Sequence, residues 1–130
     1  MISGSISTYV ERSFSQADLD RFAALSGDHN PIHVDPEFAA RTRFGRTVAH
    51  GLLLNTVLRG LLETLAPGAR QIFQELMFPA PSLVGESLRF TASIIEQTDS
   101  EASIRLCVER SADGTVTCQG QTRMRVGSRT

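Results

Sequence analysis

The chain has 130 residues, which fits one domain over residues 1–130 with a core that needs no covalent staples. Thirteen basic and fourteen acidic residues give a net charge of −1, without the basic blocks typical of nucleic-acid binding. Cys107 and Cys118 are too few for a disulfide framework and form no CxxC motif. The amino terminus lacks a signal-peptide pattern, and the most apolar stretch, residues 51–65, is too short to span a bilayer. We therefore expect a cytoplasmic protein that binds neither nucleic acid nor membranes.

The amino-terminal part of the chain predicts one strand and two helices. Alternating apolar residues predict a strand over residues 6–14. Ser15 and Asp18 form a predicted capping box, which opens a helix that stops at Gly27. A second, short helix is predicted over residues 35–43, because an acidic N-cap is followed there by proline.

The remaining chain predicts one long helix and then strands. Leucine is so frequent in residues 51–65 that a helix there would be apolar around most of its circumference, which is typical of a helix buried on most sides. The strands that follow are predicted over residues 70–78, 87–96, 103–110 and 115–126. This order predicts an α+β fold in which an antiparallel sheet wraps around the long helix. Pairing of free sheet edges between two copies predicts a homodimer.

The segment Gly27-Asp28-His29-Asn30-Pro31-Ile32-His33 places an acid and a histidine five residues apart, on either side of an Asn-Pro turn. Pro31 disfavours helix at Asn30, so we expect His33 on a stiff loop. Proton-transfer catalysis requires an acid and a base held rigidly together. Asp28 and His33 are therefore the candidate catalytic residues.

A second candidate element is Ala49-His50-Gly51, where the long helix is predicted to start. The first N–H groups of a helix lack intrahelical partners and lie at the positive end of the helix dipole. The N–H of Gly51 can therefore bind an oxyanion, and glycine lets a ligand approach the backbone closely. We expect Asn30 to orient Asp28, and His50 to pack or hydrogen-bond at the start of the helix.

The same residues have other interpretations. Asp28 could cap the Asn-Pro turn, and His33 could be a core residue that ties down the loop. The possible metal ligands are Asp28, His29, His33 and Asp35. Pro31 excludes the helix that would place both histidines on one face, and no cysteine lies nearby, so we expect no metal.

Residues 22–33, Phe-Ala-Ala-Leu-Ser-Gly-Asp-His-Asn-Pro-Ile-His, with Ala39 six residues further on, resemble the signature of the MaoC-like (R)-specific enoyl-CoA hydratases. Residues 44–51 are similar to the family's segment that leads into the central helix. Residues 78–81, followed by Gly85-Glu86, are more loosely similar to its proline-rich connection, because Glu86 stands where Asp is commoner. The similarity covers most of the chain.

This resemblance implies a hot-dog fold, a homodimer or higher homo-oligomer, and trans-2-enoyl-CoA as the substrate class. It implies reversible hydration to (R)-3-hydroxyacyl-CoA, in which Asp28 and His33 act on one water and the N–H of Gly51 binds the thioester oxygen. Coenzyme A would enter as part of the substrate, and no other cofactor is expected.

Three alternative functions share this fold. An (R)-3-hydroxyacyl-carrier-protein dehydratase would perform the same chemistry on a different carrier. Its basic docking surface could include Arg41, Arg43, Arg46 and Arg59. Those arginines suit the phosphates of coenzyme A equally well. A hot-dog thioesterase or a non-catalytic acyl-CoA-binding module also fits, because function resides in the site and not in the fold.

Overall fold

The structure, a computed structural model, describes residues 6–126. One long helix packs against a five-stranded antiparallel sheet, which confirms the predicted α+β class. The elements in chain order are β1 (Ser7–Arg12), α1 (Gln16–Ser26), α2 (Pro31–Val34), α3 (Pro36–Ala40), α4 (Gly51–Leu65), β2 (Arg70–Met77), β3 (Leu88–Gln97), β4 (Glu101–Arg110) and β5 (Val116–Arg125). Among these residues, no helix is long and apolar enough to cross a membrane.

The strands lie in the order β1-β3-β4-β5-β2, so β1 and β2 form the two edges. Every neighbouring pair is antiparallel. The register shifts at three places, at residues 71–73 of β2, 94–96 of β3 and 108–109 of β4. Such bulges increase the local twist of a sheet, and twist lets these strands curve around α4.

The core lies between α4 and the inner face of the sheet. The strands contribute alternate residues, which are Leu88, Phe90, Ala92, Ile104, Leu106, Val108 and Met124. The helix contributes Leu54, Leu58, Leu61, Leu62 and Leu65. Each fully buried leucine stabilises the fold by roughly 1.5–3 kcal/mol. The expectation that α4 is buried on most sides is wrong for its first turn, where Leu52 is 67% exposed.

The start of the chain follows the predicted capping chemistry closely. The Ser15 hydroxyl accepts the Asp18 N–H at 3.1 Å, and the Asp18 carboxylate accepts the Ser15 N–H at 2.9 Å. The predicted capping box is therefore confirmed, and α1 ends at Gly27 in the left-handed region, with φ 84°. The first strand is shorter than predicted, because the chain turns inward at Phe14, whose ring packs edge-on against Phe90.

Two one-turn helices follow α1, where the sequence predicts only the second. Asn30 Oδ1 accepts the Ile32 N–H at 3.1 Å, and Pro31 occupies the first helical position, where its missing N–H loses no bond. Pro31 thus prevents a helix from entering this turn but starts a new one. The expectation that His33 lies on a loop is wrong, since His33 belongs to α2. The helix predicted over residues 35–43 is α3, which ends at Ala40.

Gly120 determines how closely the edge strand β2 approaches β5. A Cβ built on Gly120 would lie against the backbone carbonyl of Glu75 on β2, so only glycine fits this position. Beyond the end of β2, the Phe78 ring reaches α4 and its Cζ lies 2.9 Å from where a Cβ of Gly51 would stand. The edge strand is thereby joined to the start of the central helix.

Candidate active site

Asp28 and His33 face each other across the turn between α1 and α2. The distance from His33 Nε2 to Asp28 Oδ2 is 3.7 Å. The Asp28 side chain is 52% exposed and the His33 side chain 14% exposed, so the pair lies at the protein surface with its histidine largely covered. A separation of 3.7 Å is too long for a direct hydrogen bond and suits a water that bonds to both groups.

Hydrogen bonds within the turn fix the Asp28 carboxylate. Its Oδ1 accepts the backbone N–H of Asn30 at 3.2 Å, which leaves Oδ2 directed toward His33. The Asp28 N–H in turn donates to the Ser26 hydroxyl at 3.1 Å. Asn30 therefore contacts Asp28 through its backbone, while its side chain caps α2. Asn30 thus orients Asp28 as expected, but through its backbone N–H and not through its side chain.

The carbonyl oxygen of Val48 sets the tautomer of His33. His33 Nδ1 lies 2.7 Å from this oxygen. A carbonyl can only accept, so Nδ1 carries the hydrogen, and in the neutral ring the lone pair on Nε2 faces Asp28. The Val48 N–H donates to the carbonyl of Ile32 at 3.0 Å, which holds the two segments together. His33 is thus placed as a base whose free nitrogen points at the acid.

Gln16, the first residue of α1, links α2 to the segment that precedes α4. Its amide nitrogen donates to the carbonyl of His33 at 2.9 Å, and its amide oxygen accepts from the buried Thr47 hydroxyl at 2.7 Å. Sequence reasoning missed Gln16 and Val48. A polar residue in the first turn of a helix carries no distinguishing signal, and a backbone carbonyl carries none at all.

His50 supports both members of the pair. Its side chain is 2% exposed and stacks on the His33 ring, with centroids 3.9 Å apart and planes 21° apart. Phe22 covers another side of it, edge-on at 4.9 Å. His50 Nε2 donates to the backbone carbonyl of Asp28 at 3.1 Å. One buried ring therefore fixes the backbone of the acid and the plane of the base.

Burial lowers the pKa of His50 from its usual value of 6.5, even though the hydrogen bond to the Asp28 carbonyl favours the charged form. The neighbouring His33 lowers it further. Nδ1 of His50 is buried and has no hydrogen-bond partner within residues 6–126, so a proton there would be unsatisfied. His50 is accordingly neutral at neutral pH.

Asp28, His33 and His50 offer atoms within 4.8 Å of one another, a spacing at which metal ligands also occur. The two imidazole rings are stacked 21° from parallel, so their lone pairs run side by side and do not converge. A zinc ion needs convergent nitrogens at roughly 2.0–2.1 Å. The geometry favours proton transfer over metal binding.

A cavity opens beside the pair and reaches the start of α4. Its lining includes Asp28, His50 and Gly51 on one side and the segment from Phe78 to Ser82 on the other. His50 is the N-cap of α4 but gives it no side-chain cap. Within residues 6–126, no group accepts a hydrogen bond from the Gly51 N–H. Asp28 and the free N-terminus of α4 thus line one largely apolar cavity, while His33 does not line it but lies against two residues that do, Asp28 and His50.

The fold and this site place the chain among the hot-dog proteins. The R-hydratase PhaJ1 of Pseudomonas aeruginosa superposes with a TM-score of 0.86 at 28% identity, covering 95% of this chain and 81% of that one. The (R)-hydratase of A. caviae, which its description links to PHA biosynthesis, also gives a TM-score of 0.86 at 28% identity, covering 95% of this chain and 98% of that one. The predicted hot-dog fold is confirmed.

A family model described as "MaoC like domain" matches residues 2–115, and the chain belongs to this family. It is similar to an "(R)-specific enoyl-CoA hydratase" of Aeromonas caviae, 43% identical over 81 residues, which are 61% of this chain and 60% of that protein. It is also similar to a "3-hydroxybutyryl-CoA dehydratase" of Methylorubrum extorquens, 34% identical over 119 residues, which are 90% of this chain and 76% of that protein.

The buried His50 should make stability depend on pH. Because its pKa is lower in the folded chain than in the unfolded one, the unfolded chain binds more protons below about pH 6.5, and the free energy of unfolding falls there. His50→Gln places an amide N–H near the position of Nε2 and cannot titrate. We expect the Tm of this variant to fall less than that of the unmodified protein between about pH 7.5 and about pH 5.5.

Thermal unfolding followed by circular dichroism measures this difference. His29→Gln is the matched control, because it removes an exposed histidine four residues from His33. If Tm depends on pH equally in His50→Gln and in the unmodified protein, then folding does not lower the pKa of His50, and the prediction is wrong.

Proposed function

We propose that this chain is a hydro-lyase that catalyses the reversible hydration of trans-2-enoyl-CoA to (R)-3-hydroxyacyl-CoA. The observation that carries this proposal is the pairing of Asp28 Oδ2 with His33 Nε2 at 3.7 Å, beside a cavity that Asp28 and Gly51 both line. The names of the two relatives support it, since a hydratase and a dehydratase describe the addition and the removal of water on CoA thioesters.

In the proposed reaction, one water bonds to both Asp28 and His33. The pair takes a proton from this water as its oxygen bonds to the β carbon of the substrate. The electron pair of the double bond then moves to the α carbon and onto the thioester oxygen, and the α carbon receives a proton from the same pair. Acid–base catalysis of this kind contributes typically ~10²–10⁴-fold to the rate.

The N–H of Gly51 stabilises the negative charge that develops on the thioester oxygen. It lies at the positive end of α4, and loss of one such donor costs on the order of 3 kcal/mol in comparable sites. The acid and the base come from one turn, so water and proton reach the substrate from one face. This arrangement supports a single product configuration, which the relatives' names give as (R).

The proposed chemistry needs no cofactor, because coenzyme A is part of the substrate. Cys107 and Cys118 are both free thiols. Burial raises the pKa of Cys118 to about 11, which keeps this thiol protonated and unreactive. We assign the activity to the cytoplasm, where free thiols persist.

We also propose that the chain acts as a homodimer that pairs along β2. This strand is a sheet edge, and large apolar side chains are exposed beside it, namely Leu52 at 67%, Met77 at 58% and Phe78 at 49%. Edge strands are commonly protected by pairing. At the other edge, Arg89 lies 3.8 Å from the centroid of the Tyr9 ring, which is still 56% exposed. A second copy on β2 would cover the apolar group and close the cavity beside Phe78.

A charge at the proposed interface should separate the two copies. We expect light scattering to give twice 14.2 kDa for the unmodified protein and a mass near 14.2 kDa for Met77→Lys, because pairing would bury a lysine charge of each copy in the apolar interface. Tyr9→Lys at the opposite edge should keep the larger mass. A single-copy mass for the unmodified protein would contradict the dimer.

Asp28→Asn should abolish hydration while leaving the fold intact. The new amide oxygen can still accept the Asn30 N–H, but the side chain can no longer take a proton. We expect a loss of roughly 10²–10⁴-fold in kcat with trans-2-enoyl-CoA, measured as decay of the conjugated enoyl absorbance, with chiral analysis of the product. His33→Gln should give a similar loss.

The control for this pair is His29→Ala, which alters an exposed neighbour outside the site and should leave kcat unchanged. Unaltered turnover in both Asp28→Asn and His33→Gln would contradict the assigned roles. Release of free coenzyme A with the acyl double bond retained would identify a thioesterase.

Two substitutions at Gly51 isolate the proposed oxyanion donor. Gly51→Pro removes the N–H at the first helical position, where proline is well accommodated, whereas Gly51→Ala keeps it. Both add a Cβ against the Phe78 ring, so the alanine variant controls for that contact, and proline differs from it by the closed ring and the missing N–H. We expect kcat of the proline variant to be about 10²–10³-fold below that of the alanine variant. Equal kcat values in two folded variants would show that another group binds the oxyanion.

A further inference from the structure

Residues 41–46, Arg-Thr-Arg-Phe-Gly-Arg, form a strongly basic loop that follows α3. We call it the arginine loop. It contains three of the thirteen basic residues of the chain and no acidic residue. Within residues 6–126, Arg41 and Arg43 form no ion pair, and Arg46 has only a 4.0 Å contact with Glu86. Arg110 lies closer to that carboxylate, at 3.3 Å. The positive charge of the loop is therefore largely unneutralised.

The backbone of the arginine loop is held by Thr42. The Thr42 hydroxyl donates to the carbonyl of Ala39 at 2.7 Å and accepts the Phe44 N–H at 3.2 Å. The Gly45 N–H donates to the Thr42 carbonyl at 3.2 Å, and Gly45 takes φ 79°, which glycine adopts at no steric cost. A loop fixed in this way loses little entropy when it binds a ligand.

The arginine loop also reaches the candidate active site. Arg43 and Phe44 line the same cavity as Asp28 and Gly51. The Arg43 guanidinium lies over the Phe44 ring, 5.0 Å from its centroid. Stacking on a ring restrains an arginine while its N–H groups stay available at the edge of the guanidinium plane. Arg43 is thus a positioned cation on a cavity to which residues 6–126 contribute a single carboxylate, that of Asp28.

We propose that the arginine loop binds the phosphate groups of coenzyme A in a thioester substrate whose acyl end lies at Asp28 and His33. The proposal rests on the proposed function, since it names what holds the other end of the same substrate. An arginine guanidinium binds a phosphate through two parallel N–H donors. A lysine ammonium is a point charge and lacks this paired geometry. The loop contacts the carrier and not the reacting atoms, so it contributes to binding in the ground state and the transition state alike.

The test compares two substrates with the same 2-enoyl group, one carried by coenzyme A and the other by N-acetylcysteamine, which has no phosphate. In the double variant Arg41→Gln/Arg43→Gln, KM for the coenzyme A thioester should rise about tenfold, with kcat little changed. KM for the N-acetylcysteamine thioester should not change. Raising the salt concentration should change the ratio of the two KM values less in the double variant than in the unmodified protein.

The matched control is Arg12→Gln/Arg105→Gln, which removes the same total charge from two exposed arginines outside the loop. An unchanged KM for the coenzyme A thioester in the loop variant would overturn the proposal. Equal losses with both substrates would also overturn it, because they would mean that the loop shapes the cavity. An acyl-carrier-protein thioester serves as a third substrate. If KM rises in the loop variant for this substrate alone, the loop docks a carrier protein and the proposal is wrong.

Failure of the proposed function would look different, since the unmodified protein would then turn over neither thioester. The loop can still be tested in that case by calorimetric titration with adenosine 3′,5′-bisphosphate, which carries phosphates of the kind found in coenzyme A. The proposal is supported if the bisphosphate binds to the unmodified protein and to the control variant but not to the loop variant. Equal binding to all three proteins contradicts it.

Discussion

The hydrogen bond from His33 Nδ1 to the carbonyl of Val48, 2.7 Å long, is the constraint on which the candidate site depends. It decides which ring nitrogen keeps a lone pair and where that lone pair points. With the opposite tautomer, His33 would present an N–H to Asp28 and could not accept a proton from a water between them. The 3.7 Å spacing of the acid and the base is useful only because this distant backbone group orients the ring.

Val48 can orient His33 because the backbone around it is bonded on both sides. Its N–H donates to Ile32, while the neighbouring residues Thr47 and Ala49 exchange backbone hydrogen bonds with residues 82–84, which precede β3. Gln16 adds a side-chain link between Thr47 and His33. His33 is therefore oriented by residues 47–49, which are anchored to the segment that precedes β3, and not by the short helix to which it belongs.

Sequence reasoning succeeded where the determining interactions are local. The Ser15–Asp18 capping box and the bounds of α4 follow from side chains within a few residues of one another. It failed at His33 although the signal there is local, because Asn30 and Pro31 form the same pattern of N-cap and first-turn proline that predicts α3 at Asp35 and Pro36, and the prediction treats the proline only as a helix stop. The Val48 carbonyl and the contact of Phe78 with Gly51 link segments far apart in sequence, so no local pattern predicts them.

The charges around the cavity match the proposed reaction, which builds negative charge on a ligand that is itself negatively charged. Asp28 is the only carboxylate among the described residues that line the cavity, and the N-terminus of α4 and Arg43 supply positive potential at separate places on its wall. His50 adds no charge, because burial keeps its ring neutral. In the proposed reaction His33 takes a proton from water, and the neutral ring stacked on it does not repel that positive charge.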